Sequence, residues 1–125
     1  MKRIIQSKNG PPPKGPYSHA TACGDLIFVS GQGPVNPQTG SVVHGDFSAE
    51  ARLTLKNLEA ILKDCGSSLD KVVKVNVFLA SIDDFGQLNE IYREFFKSDF
   101  PARTCVQAGR LPFDIKVEIE VIATV

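Results

Sequence analysis

Apolar positions along this chain recur first with one spacing and then with another, and each change of spacing predicts a change of element. Leu26, Ile27, Phe28 and Val29 are apolar at both parities, which predicts a strand over residues 25–31 covered on both faces. Over residues 48–65 the spacing turns helical. Ala51, Leu55, Leu58 and Leu62 fall on one stripe, Ser48 is placed to cap the start, and Gly66 stands where a left-handed glycine closes a helix. Alternation returns over residues 73–79, where Val73, Val75, Val77 and Leu79 are set against Lys74, Asn76 and Phe78. A second helix is predicted over residues 84–97, with Phe85, Leu88, Tyr92 and Phe95 on its stripe and Asp83 or Asp84 at its positive end. Two strands, over residues 103–110 and 116–124, complete the pattern.

Strands, helix, strand, helix and strands describe an α+β domain with two helices laid on one face of a sheet. Two helices leave the other face open, yet Phe28 and Phe78 fall on it, so a homo-oligomer is expected. Residues 10–16 read as an extended, proline-rich arm that delivers Tyr17 and Ser18 into the domain. Asn36 and Pro37 occupy the first two positions of a turn that Gly40 follows.

Composition adds mostly exclusions. A chain of 125 residues suits one domain with a real core, and fourteen basic residues balance fourteen acidic ones. No global field therefore draws in nucleic acid or an anionic membrane. Lys2, Arg3, Lys8 and Lys14 make a basic start, but Pro11-Pro12-Pro13 interrupts any targeting helix there, and no apolar run suits a signal core or a membrane span. Cys23, Cys65 and Cys105 are odd in number and form no CxxC pair, and His19 and His44 are the only histidines. Neither a disulfide framework nor structural zinc is expected; a reducing, cytoplasmic setting is.

The chemistry on offer lies in the last two strands. Arg103 and Cys105 share one face of theirs, and Glu118 and Glu120 share one face of the other. Arg103 is either a carboxylate-binding fork or a solvated strand arginine. Glu118 and Glu120 repel each other, and if half-buried one of them holds its proton unusually tightly, as proton transfer requires; otherwise they are exposed strand acids. Cys105 is a thiol activated by Arg103 or a small core residue. Ser30 with His19 suggests a hydrolase pair but lacks a nucleophile elbow, and Gly31-Gln32-Gly33 is too short for a phosphate loop. Tyr17 and Asn89 are each either polar ligand contacts or packing and surface residues.

Together, Gly15-Pro16-Tyr17-Ser18, Val29-Ser30-Gly31-Gln32, Asn36-Pro37-Gln38-Thr39-Gly40, Asn57-Leu58, Phe100-Pro101-Ala102-Arg103, Arg110-Leu111-Pro112 and Val117-Glu118-Ile119-Glu120 resemble, in order and spacing, the reactive-intermediate deaminase family RidA/YjgF. The resemblance runs from about residue 4 to the C-terminus and implies a single domain over residues 1–125. It implies a chorismate-mutase-like mixed sheet with two helices on one face, assembled as a homotrimer with sites between subunits. It also implies cofactor-free and metal-free hydrolysis of small 2-imino or 2-enamino acids, released by pyridoxal-phosphate serine and threonine dehydratases, to 2-oxo acids and ammonia. By motif position, Arg103 binds the substrate carboxylate and Glu118 orients water. The backbone at Cys105 meets the imine end, and Tyr17, Ser30, Gly31 and Asn89 line the pocket. Gly33 and the pair Ala108-Gly109 are smaller than the family's usual residues, which raises the expectation of looser packing or a wider cleft. Two rival functions remain: an endoribonuclease or translation inhibitor, disfavoured by the zero net charge, and a non-catalytic module that captures small carboxylates.

Overall fold

The computed structural model describes residues 1–125 and contains one six-stranded mixed sheet with two helices packed on one side. In chain order the elements are β1 (Arg3–Ile5), β2 (Ala20–Cys23), β3 (Leu26–Gln32), α1 (Phe47–Asp64), β4 (Val72–Leu79), α2 (Phe85–Phe95), β5 (Ala102–Gln107) and β6 (Val117–Thr124). Across the sheet the order is β1-β2-β3-β6-β4-β5, so the last strand is inserted in the middle. Only β4 and β5 run parallel, as the intervening α2 requires.

The core forms where the apolar faces meet. Val117, Ile119, Val121 and Ala123 of β6 are all buried, as are Val75, Val77 and Leu79 of β4 and Ile27 and Val29 of β3. Against them lie Ala51, Leu55, Leu58 and Leu62 of α1, none of them exposed at all. Burying one such leucine contributes roughly 1.5–3 kcal/mol, so this one seam dominates the stability. The opposite sheet face stays open: Phe28 and Leu26 of β3 and Val106 of β5 remain exposed.

Several boundaries differ from the sequence pattern for local reasons. Asp46, not Ser48, caps α1, its carboxylate accepting from the Ala49 N–H at 2.8 Å. Gly66 closes the helix as expected (φ 78°), with Ser67 N–H reaching back to the Leu62 carbonyl. Asp84 takes the N-cap position of α2 but its side chain caps nothing; Ser81 caps a short turn over Ile82–Asp84 that leads into the helix. On α2 the buried residues are Leu88, Ile91 and Tyr92, while Phe85 is exposed, because the helix turns its stripe toward α1 and β5. A bulge between Val72 and Lys74 pushes Val73 outward and lets Val72 take the core position. The sequence pattern missed β1 and β2, whose short runs include weak strand formers such as Ala20 and Ala22. A two-residue hairpin turn joins β2 to β3, and Gly24 supplies the positive φ (58°) it needs.

The proline-rich arm is tied down at both ends. Asp64 accepts from the Ser7 hydroxyl and from the backbone and side chain of Asn9, which holds its carboxyl below the usual carboxylate range. His19 is buried, with Nδ1 accepting from the Ser7 N–H and Nε2 donating to the Pro11 carbonyl. Both ring nitrogens are thereby engaged, and the Ser30 hydroxyl donates to the Ser18 carbonyl at 2.6 Å, so these two residues form no nucleophile–base pair. No helix is long and apolar enough to cross a membrane.

Candidate active site

Arg103 and Glu118 stand on opposite faces of the sheet. Arg103 lies beside Val75, and Cys105 beside Val77, on the helix-covered side. Glu118 lies beside Phe78, and Glu120 beside Asn76, on the open side. The guanidinium and thiol on one face and the carboxylates on the other therefore form two separate candidate half-sites.

The first half-site is a hollow of about 260 Å³ between α2 and β5, lined by Asn89, Tyr92, Arg93, Phe100, Pro101 and Arg103. Arg103 is half-buried and held on two sides. Its guanidinium donates to Asn89 Oδ1 at 2.7 Å and lies over the Tyr92 ring at 4.7 Å, with the Phe85 ring at 5.6 Å. It is neither ion-paired nor free to swing, as a fork waiting for a carboxylate should be. Burial pushes the Tyr92 hydroxyl up to about 12. Cys105 packs partly against the core, and burial raises its thiol more than Arg103 lowers it, so it is no activated nucleophile.

The second half-site is a cavity of about 430 Å³ that contains Glu118, Tyr17, Ser30 and Gly31. Its shape depends on a bulge in β3: Val29 pairs with Val121 and Gln32 with Ile119, so Ser30 and Gly31 together oppose Glu120. Glycine at position 31 leaves room for the Glu118 carboxylate: a Cβ would sit 2.6 Å from Glu118 Oε2 and would push that side chain aside. Burial, with Glu120 as the lesser cause, raises the Glu118 carboxyl above its ordinary value. Glu120 differs in accepting a hydrogen bond from Asn76 Nδ2 at 3.1 Å.

Two buried polar residues hold the cavity's walls: Asn57, which the sequence offers only within a family motif and without a role, and Glu50, which it does not single out. Asn57 on α1 donates to the carbonyls of Gly33 and Val35 at 3.1 and 2.8 Å. Glu50 accepts from the Gly45 N–H and from the backbone and ammonium of Lys116, just ahead of β6. With Thr54, they repeat at helical spacing beside the leucine stripe, and that spacing was the available signal. Replacing Asn57 by alanine should cost about 2 kcal/mol, since two carbonyls lose their donor. A urea midpoint lowered at unchanged slope is the expected reading.

Gly33 does not widen this cavity in the chain itself. A Cβ on Gly33 would lie 2.7 Å from Ile115 Cδ1, so the isoleucine fills that space. Around Gly109 a Cβ would meet open space, with nothing within 4 Å.

The family model for endoribonuclease L-PSP matches residues 7–125. A RutC family protein of Pyrococcus horikoshii is 46% identical over 98% of this chain and 98% of its own. A 2-iminobutanoate/2-iminopropanoate deaminase of Salmonella typhimurium is 42% identical over 98% of each. The crystal structure of Escherichia coli TdcF with bound serine superposes with a TM-score of 0.92, at 41% identity over 98% of each chain.

Proposed function

Because the chain belongs to the RidA/YjgF family, the family described as endoribonuclease L-PSP, we propose that it is a hydrolytic deaminase of 2-imino acids, of the 2-iminobutanoate and 2-iminopropanoate class. The single observation that carries the site is the separation of Arg103 from Glu118 across the sheet. One chain cannot close both half-sites on a molecule of three or four carbons. A second copy, seated on the open sheet face where Phe28 is exposed, brings its own Arg103 toward this chain's Glu118. A homotrimer satisfies this arrangement with three equivalent sites.

The chemistry asks little of the protein. Protonated imine carbon is already electrophilic, so positioning is the main requirement. Arg103 fixes the α-carboxylate, with Asn89 holding the guanidinium in place. Glu118 orients water toward C2; the water oxygen bonds to that carbon and the C–N bond breaks. The carboxyl relays protons to the departing nitrogen, so that iminium plus water becomes 2-oxo acid plus ammonium. Tyr17, Ser30, Gly31 and the backbone at Cys105 form the walls. Serine bound to TdcF supports this reading, since serine pairs a carboxylate with a nitrogen on C2 as the imines do. Dehydratases that use pyridoxal phosphate release such imines and are the proposed source.

Mixing two variants tests the composite site. Arg103→Ala and Glu118→Gln should each be inactive, whereas a mixture refolded in equal amounts should recover about a quarter of wild-type activity. Each site needs one intact partner of each kind, and the two choices are each one in two. Activity is read as accelerated 2-oxo acid release from imine made by a threonine dehydratase. A mixture as inactive as its parts would sink the shared site.

A further inference from the structure

Lys14 is the only basic side chain among the residues that line the Glu118 cavity, and it has no acidic partner. Its position is nonetheless specified. The ammonium donates to the Gly40 carbonyl at 2.5 Å and stands 5.5 Å from the centre of the Phe113 ring. Its backbone N–H donates to the Tyr17 hydroxyl at 3.0 Å, which links it to the cavity wall. Phe113 is held in turn. It has a left-handed backbone (φ 63°), as does Asp114 (φ 56°), and Arg110 grips Asp114 through two hydrogen bonds. An exposed phenylalanine in a strained turn, under a cation with no counter-ion, is an arrangement with no evident value for stability.

Resting on the deaminase reading, we propose that Lys14, Gly40 and Phe113 form an anion subsite at the cavity mouth, which admits 2-imino acids whose side chain ends in a second carboxylate. Lys14 has two ammonium donors left after Gly40, and the ring beneath it excludes water from one side. In the shared site the α-carboxylate is taken by Arg103 of a second copy, and Lys14 stands at the mouth of the cavity for the distal one. In the single chain the cavity measures about 430 Å³, more than a three- or four-carbon imine occupies. The reaction itself is unchanged: water adds at C2, the C–N bond breaks, and the distal carboxylate takes no part in bond making.

The test compares two imines made in situ by flavin amino-acid oxidases, one from glutamate and one from 2-aminobutanoate, with semicarbazide trapping whatever escapes hydrolysis. Wild-type protein should accelerate both. In Lys14→Gln the ratio of kcat/KM for the glutamate-derived imine to that for the aminobutanoate-derived one should fall about tenfold, through KM, and Lys14→Arg should restore it. An unchanged ratio overturns the subsite, as does wild-type protein that accelerates only the monocarboxylic imine. Wild-type protein that accelerates neither overturns the deaminase reading and the subsite with it.

Discussion

Replacing Arg103 with alanine should lower kcat/KM for imine hydrolysis by about a hundred- to a thousandfold, the usual cost of removing one partner from a desolvated, hydrogen-bonded charge pair. The loss should leave folding and assembly intact. Arg103 lies on the edge strand β5, half-buried, with its guanidinium on the rings of Tyr92 and Phe85 rather than inside the leucine seam. Arg103→Lys should recover only part of the activity. A lysine keeps the charge but offers neither a planar fork for a carboxylate nor a face to stack on Tyr92. Steady-state kinetics at fixed oligomer content, with circular dichroism as the folding control, separate these outcomes. Wild-type rates in Arg103→Ala would remove the residue from the site altogether.

Glu118→Gln should lower kcat by about a hundred- to ten-thousandfold, the range that positioned proton transfer supplies. Its pH behaviour is the sharper test. Burial and the neighbouring Glu120 raise the Glu118 carboxyl, so the acid limb of the wild-type rate profile should lie above the pH of an ordinary glutamate. In the glutamine variant that limb should vanish. Stability should move the opposite way from activity. With its folded-state pKa raised, Glu118 stays protonated in the folded chain where the unfolded chain has already ionised. Its contribution to stability is complete below the ordinary glutamate value and is lost as pH rises through the raised one. At neutral pH Glu118→Gln should therefore unfold at a higher urea concentration than wild type, and the gap should close on acidification. A variant that is less stable at neutral pH would assign Glu118 a structural role.

Much of the fold was legible because its signals are local. The leucine stripe of α1, the strict alternation of β6 and the closing glycine at Gly66 each depend on neighbours within a few residues. The misplaced cap of α1 was a failure of choice between nearby polar residues, Asp46 against Ser48, while Asp84 takes the N-cap position of α2 without a side-chain bond. Glu50 and Asn57 were harder to read, since a buried polar side chain shows its purpose only with the distant loop whose backbone it satisfies. The same holds for Lys14 and Phe113, which lie 99 positions apart in the chain.

Sequence alone determined that Arg103 and Cys105 share a face, that Glu118 and Glu120 share a face, and that Phe28 is left without a covering helix. The first two follow from the two-residue period of a strand, which needs no knowledge of any other strand, and the third from there being only two helices to lay on the sheet. Whether the two faces coincide is a different question, decided by strand order and register. Tertiary structure placed β6 between β3 and β4, paired Glu118 with Phe78, and set Arg103 beside Val75. A one-residue change of register would have put the arginine and the glutamate on the same side. That single non-local fact sets Arg103 and Glu118 apart on opposite faces of the sheet.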